Sequence, residues 1–210
     1  MGIDVNTLVT ILLSLTVALT LHEFAHAWVG NLLGDNTARR EGRLSLNPLA
    51  HIDPLTTLAL PLMLVILHSP VIFAAAKPVP FNPHMLKGGR WGAALVALAG
   101  PLTNLLLAVA FSAILWLVPM PNIWSSLLIN MIVVNVGLGV FNLIPFPPLD
   151  GSRVVYAAFP PLRDIMDRIE SLGIVAFFII FFFGYQFIAP LISNVVMWIL
   201  SLIVPGTVLP

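Results

Sequence analysis

The chain has 210 residues, of which 59% are hydrophobic and only 9% are charged, and its mean hydropathy is +1.03. This composition excludes a soluble domain, and the formal net charge of +0 gives no sign of a nucleic-acid partner. The absence of cysteine excludes disulfides and thiolate metal ligands. Several apolar runs are long enough to cross a hydrocarbon core, which takes about 20 helical residues. The sequence therefore predicts an all-α polytopic membrane protein, a helical bundle of roughly five to six membrane segments.

The first predicted helix, residues 5–33, carries a His-Glu-x-x-His sequence in which His22 and His26 lie four residues apart. Side chains at this spacing share one helix face, so both imidazoles can reach one metal ion, with Glu23 beside it as a general base. An ionisable residue inside a membrane helix costs about 2.5–3.5 kcal/mol on insertion scales, and its presence therefore indicates a function. The alternative is a pair of structural histidines that hydrogen-bond to neighbouring helices.

A basic cluster at residues 39–43 follows this helix directly. The positive-inside rule places the cluster in the cytoplasm and the amino terminus outside, so the histidine motif lies towards the cytoplasmic side. We expect an integral, multi-pass membrane protein with this motif towards the cytoplasm, in a bacterial or archaeal cell membrane. The amino-terminal stretch has no basic region and carries Asp4, so it is not expected to be a cleaved signal peptide.

Residues 44–54 contain two prolines and are predicted to form a loop close to the membrane. His51 and Asp53 in this loop allow two interpretations, as metal ligands or as a hydrogen-bonding element. The second is the commoner role for a loop histidine beside an aspartate.

Two clear membrane spans follow at residues 92–118 and 124–144, and prolines then unwind the chain before Asp150 and Gly151. A catalytic zinc site has three protein ligands and one open position, and a carboxylate at this point can complete a site begun by two histidines. An aspartate that caps the next helix is the alternative. The pairing with the first motif favours the ligand.

Residues 55–76 are apolar but contain prolines, and they pose the main topological question. If this stretch crossed the membrane fully, Asp150 would emerge on the side opposite the histidines, and the three residues could not share an ion. We therefore predict that residues 55–76 are re-entrant or interfacial. Every lysine and arginine then lies in the cytoplasm.

Together the two motifs resemble the paired signatures of site-2 proteases, the intramembrane zinc metalloproteases. Residues 142–151 match the family pattern Asn-x-x-Pro-x-Pro-x-Leu-Asp-Gly at every fixed position, and residues 100–104 resemble a further family element. The resemblance implies one Zn²⁺ per chain held by His22, His26 and Asp150. It also implies that Glu23 activates water and that Asn142 helps to hold the substrate, a transmembrane protein or peptide. No PDZ or CBS domain is recognisable, so the chain resembles a minimal member.

The whole chain, 1–210, is expected to form a single membrane-embedded metalloprotease domain with its core at residues 5–151. Residues 152–170 mix charged and apolar residues and are predicted to form an amphipathic interfacial segment. Residues 171–205 form the carboxyl-terminal membrane segment, either one kinked helix or a tight pair of helices around Pro190.

Two other functions share some of these features. A zinc transporter and a zinc-stabilised membrane scaffold would both bury such ligands, but neither needs Glu23 beside them. For a protease, the substrate helix must unwind, and its extended backbone can pair with an exposed edge at residues 45–52 or 77–83.

Overall fold

The computed structural model describes residues 5–66 and 76–204, and no strand occurs among them. Eight α-helices follow one another along the chain: α1 Val5–Leu32, α2 Thr37–Arg40, α3 Leu60–Ile66, α4 Gly89–Leu117, α5 Asn122–Asn142, α6 Gly151–Ala158, α7 Arg163–Ser171 and α8 Gly173–Ile203. Short 3-10 turns lie at Pro48–Ala50, Pro83–Met85 and Pro160–Leu162, and a π-helical stretch, Pro54–Ala59, leads into α3. The all-α prediction is confirmed.

Four helices contain stretches that are long and apolar enough to cross a membrane: Leu8–Leu32, Gly89–Leu117, Asn122–Asn142 and Gln186–Ile203. The prediction of a helical membrane protein is therefore confirmed by the length and composition of these helices. The predicted count of five to six segments goes beyond these four and depends partly on residues 67–75, which lie outside the described part of the chain. Helix α8 runs through Pro190 without a break, so one helix rather than a tight pair follows residue 172.

Helices α1, α4 and α5 pack closely because small residues line their contacts. Ala18, Ala25 and Ala27 on α1 are all buried, and their small side chains allow neighbouring helices to approach. On α5, a Cβ added at Gly139 would lie 3.1–3.2 Å from Leu105 and from the carbonyl oxygen of Pro101 on α4. The three backbones are therefore close enough for polar side chains in the middle of the bundle to reach one another.

The carboxyl end of α8 closes the bundle against α4 and α5. A buried cluster joins the three helices, made of Ala108, Ile132, Val136, Leu200 and Val204. The carbonyl oxygen of Ile203, which has no partner within its own helix, accepts hydrogen bonds from Trp116 Nε1 at 2.9 Å and from Ser112 Oγ. These bonds fix the last turn of α8.

The residues on either side of the apolar stretch 55–76 lie next to each other. The backbone N–H of Lys77 donates to the carbonyl of His51 at 2.9 Å. The Arg43 guanidinium donates to the carbonyls of Lys77 and Pro78, at 2.6 and 3.0 Å. The chain therefore returns to the point from which it departed, on the side of the bundle where α1 ends.

Residues 152–170 form two short helices, α6 and α7, separated by the turn at Pro160–Leu162. The charged side chains of α7 include an exposed i,i+4 pair, Arg163 and Asp167, with 3.4 Å between nitrogen and oxygen. Such exposed pairs contribute little to stability. The interfacial position of this segment and the division of the domain remain predictions.

Candidate metal centre

The two motif histidines lie side by side on α1, as their spacing predicts. Their rings meet edge to face, with centroids 4.6 Å apart and an interplanar angle of 87°. The two Nε2 atoms are 3.0 Å apart, and both side chains are buried. Two imidazoles therefore present the same nitrogen to one point in the bundle.

Helix α4 determines which nitrogen each histidine presents. His26 Nδ1 donates to the backbone carbonyl of Val96 at 2.7 Å, and His22 Nδ1 donates to Asn104 Oδ1 at 2.6 Å. Both partners are oxygens that can only accept, so both Nδ1 atoms carry the hydrogen. Each Nε2 is then an unprotonated ligand atom, which is the state that metal binding requires.

Asp150 reaches the histidines from the loop between α5 and α6. Its Oδ2 lies 3.2 Å from His22 Nε2 and 3.4 Å from His26 Nε2. The loop folds back so closely that a Cβ at Gly151 would lie within 2.6 Å of the carbonyl oxygens of Leu143 and Ile144. Asp150 precedes α6, but its side chain makes no capping hydrogen bond. The capping alternative is therefore wrong.

The convergent atoms fit a divalent metal ion. His22 Nε2, His26 Nε2 and an Asp150 oxygen lie within 4.8 Å of one another, and Asp150 Oδ2 is buried without a hydrogen-bond partner among the described residues. Three lone pairs that face one another repel unless a cation lies between them. Tetrahedral ligands about 2.0–2.2 Å from one zinc ion stand roughly 3.3–3.6 Å apart, close to the spacing seen here.

Gly100 on α4 leaves the space that an ion needs. A Cβ at this position would lie within 2.7 Å of both His22 Nε2 and His26 Nε2. The missing side chain therefore leaves free the space beside the edges of both imidazole rings. Any other residue would place a β-carbon against both rings, next to the two nitrogens.

Glu23 lies next to His22 and is also buried. Its Oε2 accepts a hydrogen bond from the backbone N–H of Val79 at 3.0 Å. Val79 belongs to residues 77–83, an irregular segment that we call the strap. The strap is held against α1, and it fixes the orientation of the Glu23 carboxylate.

Asp35 anchors the far end of the strap. Its carboxylate accepts hydrogen bonds from the N–H of Asn82 and from the N–H and hydroxyl of Thr37. Burial acts to raise the pKa of the Asp35 carboxyl, but these hydrogen bonds outweigh it and hold the pKa below its usual range. With Arg43 bonded to the other end, the strap is fixed at both ends.

The remaining candidates lie in hydrogen-bonded positions. His51 is buried and its Nε2 donates to the carbonyl of Ser45 at 2.7 Å, while Asp53 accepts from the N–H groups of Leu55 and Thr56. Both residues therefore act as hydrogen-bonding elements of the loop, which was the second of the two interpretations of the sequence. Asn142 is at the end of α5, where its Nδ2 donates to the carbonyl of Leu138 at 3.1 Å.

Sequence reasoning missed the contacts that α4 and the strap make with the motif. Nothing in the sequence assigned a partner to Asn104, showed the space at Gly100, or paired Val79 with Glu23. A weak signal existed for α4, because residues 100 and 104 are one helical turn apart and an asparagine inside an apolar span indicates a buried polar contact.

A helical membrane protein with a His-Glu-x-x-His helix and a converging aspartate has the arrangement of a metallopeptidase. The family model for peptidase family M50 matches residues 119–185. The chain is 38% identical over 183 residues to YwhC of Bacillus subtilis, named as a candidate zinc metalloprotease, covering 81% of this chain and 79% of YwhC. No solved structure gives a significant match.

Rip2 proteins, which carry the same description, are also similar. That of Mycobacterium tuberculosis (strain H37Rv) is 33% identical over 89% of this chain and 71% of its own length. That of Mycolicibacterium smegmatis is 31% identical over 75% of this chain and 58% of its own length. The chain therefore belongs to peptidase family M50, the family of the site-2 proteases, and is a metalloprotease. The names of the relatives indicate zinc as its metal.

Proposed function

We propose that the protein is an intramembrane zinc endopeptidase that hydrolyses peptide bonds in or near the transmembrane segments of its substrates. One zinc ion per chain is held by His22 Nε2, His26 Nε2 and an oxygen of Asp150. The observation that carries this proposal is the convergence of these three acceptors, two of them on a helix apolar enough to cross a membrane and the third on the loop after another.

The metal and Glu23 have different roles in the proposed reaction. When bound, zinc acts as a Lewis acid that lowers the pKa of a water molecule to about 7 and polarises the scissile carbonyl. The Glu23 carboxylate takes the proton of that water as general base and later donates it to the leaving amine. The Val79 N–H donates to Glu23 Oε2 at 3.0 Å and so holds in one orientation the carboxylate that moves the proton.

The contacts around residue 77 support the re-entrant topology. Residues 51 and 77, on either side of the apolar stretch, are joined by a backbone hydrogen bond, so a full crossing between them is disfavoured. With 55–76 re-entrant, the ends of α1 and α5 that carry the ligands lie at one depth and face the cytoplasm. Water reaches the site from that side.

The strap is the better of the two predicted edges for an extended substrate. Residues 48–50 form a 3-10 turn, so the first edge, 45–52, is not extended and that alternative is disfavoured. On the strap, Lys77 N–H, Val79 N–H and Asn82 N–H already have partners, and residues 78, 80 and 83 are prolines. Among the described residues, the Phe81 N–H has no recorded acceptor, so it is the donor left for a substrate backbone.

Replacing Phe81 with proline removes this donor while the backbone stays extended, as proline favours. We expect kcat/KM for a membrane substrate to fall about 2- to 10-fold, the effect of one hydrogen bond, with zinc content unchanged. Phe81→Ala keeps the N–H and serves as the matched control, which separates the donor from the side chain. Equal rates for the two variants would show that the strap does not pair with substrate through this group.

The proposed function is tested by reconstitution with a single-span substrate in lipid vesicles, followed by mass spectrometry of the products. We expect cleavage inside or at the edge of the apolar segment, its loss on chelation and its recovery with added zinc. Zinc uptake into vesicles without any cleavage would support the transporter instead. Cleavage confined to the soluble tails would refute intramembrane proteolysis.

A further inference from the structure

Two buried asparagines connect the metal centre to α5, a helix that carries neither of the two histidines. Asn104 on α4 and Asn135 on α5 are both fully buried. Asn104 accepts from His22 Nδ1 at 2.6 Å, and its Nδ2 donates to Asn135 Oδ1 at 2.9 Å and to the carbonyl of Ala18 at 3.2 Å. Asn135 Nδ2 donates to the carbonyl of Met131 at 2.8 Å. Each amide nitrogen and each amide oxygen of the two asparagines therefore has at least one hydrogen-bond partner.

The two histidines differ in how their tautomers are fixed. The partner of His26 Nδ1 is the backbone carbonyl of Val96, which cannot exchange its oxygen for a nitrogen. The partner of His22 Nδ1 is a side-chain amide, and rotation of that amide by half a turn would present an N–H in place of the oxygen. His22 would then keep its hydrogen on Nε2 and could not bind a metal through that atom.

Asn135 prevents this rotation. If the Asn104 amide turned over, its oxygen would face two acceptors, Asn135 Oδ1 and the Ala18 carbonyl, and both contacts would become repulsive. The Asn135 amide is itself fixed in the same way, because its Nδ2 faces the Met131 carbonyl. The orientation of Asn104 is therefore held by two acceptors, the Ala18 carbonyl and Asn135 Oδ1, and the hydrogen bonds of Asn135 reach neither the ligands nor Glu23.

We infer that Asn135 is a positioning residue for the metal centre, acting through Asn104 to hold His22 in the tautomer that leaves Nε2 free for the metal. The inference rests on the proposed zinc site. Helix α5 would then have two roles at the site. It supports His22 through Asn135 and Asn104, and it leads into the loop that carries Asp150. Partners of this kind, behind a ligating histidine, typically change metal affinity about 10- to 100-fold.

The first readout is zinc affinity, measured by chelator competition on purified protein. Asn135→Leu removes the acceptor for Asn104 and is expected to weaken zinc binding about 10- to 100-fold. Asn135→Asp, as a neutral carboxyl, keeps an oxygen that accepts from Asn104 and a hydroxyl that can donate to the Met131 carbonyl, and it is expected to keep most of the wild-type affinity. Asn130→Leu is the matched control, because Asn130 lies on the same helix and bonds Thr10 on α1, away from the metal centre.

The second readout is the His22 tautomer in the zinc-free protein, from ring ¹⁵N chemical shifts assigned by their absence in His22→Gln. We expect Nδ1–H in the wild type and in Asn130→Leu, and a population with Nε2–H in Asn135→Leu. Asn135→Ser, whose side chain is too short to reach Asn104, replaces Asn135→Leu if that variant does not fold. Zinc loss in Asn130→Leu equal to that in Asn135→Leu, or an unchanged tautomer, would overturn the inference. A wild type that binds no zinc would overturn the proposed function, while the tautomer still decides the role of Asn135.

Discussion

Gly100→Ala is expected to remove nearly all zinc from the protein and to abolish cleavage. The added methyl carbon would lie within 2.7 Å of the ligand nitrogens of both histidines. The histidines cannot withdraw, because each Nδ1 is bonded to α4, the helix that carries the new methyl group. Zinc per chain, determined by elemental analysis of the purified protein, measures the effect.

Gly137→Ala is the control for this prediction. Gly137 lies on α5, and a Cβ there would meet no atom within 4 Å, so the same substitution should leave zinc and cleavage unchanged. In a helix, alanine is also the more favourable residue, by roughly 1 kcal/mol. A Gly100→Ala protein that retains a full complement of zinc would show that the ion lies elsewhere.

Glu23→Gln is expected to lower the cleavage rate about 10²- to 10⁴-fold, the usual contribution of a general base, without loss of zinc. The amide has the shape of the carboxylate, and its oxygen can still accept from the Val79 N–H, so the strap should remain in place. It cannot take a proton at neutral pH. Initial cleavage rates and zinc content, measured on one preparation, separate loss of the base from loss of the metal.

Glu41→Gln provides a control, since Glu41 is exposed beyond α2. A Glu23→Gln protein that cleaves at the wild-type rate would remove Glu23 from the mechanism. If Glu23→Gln left zinc transport or a scaffold role unchanged, that result would favour the transporter or the scaffold, because neither function needs a general base.

The shared helix face of the two motif histidines could be predicted from the sequence because it depends only on local geometry. The spacing of His22 and His26 alone places them on one helix face, and the prolines before Asp150 indicate where the helix must unwind. The contact between the two motifs is not local. Its prediction depended on the chemistry of the paired motifs and on the family resemblance, since residues 26 and 150 are separated by the whole of α4 and α5.

The support around the ligands could not be predicted, because it depends on how helices rotate against one another. Asn104 and Asn135 are 31 residues apart and lie on different helices, and apolar spans carry almost no periodic signal to show which faces meet. The strap was predicted as a substrate edge, but its bond to Glu23 joins residues 56 positions apart in an irregular segment.

The central claim is that Asp150 completes the zinc site, and zinc content of Asp150→Ala beside Asp164→Ala tests it most directly. Asp164 lies exposed on α7, so Asp164→Ala should match the wild type with about one zinc per chain. Asp150→Ala leaves only two protein ligands, and we predict that it loses its zinc to a chelator that the wild type withstands. If Asp150→Ala retains zinc as firmly as the wild type, the two motifs do not share an ion and the proposed site is wrong.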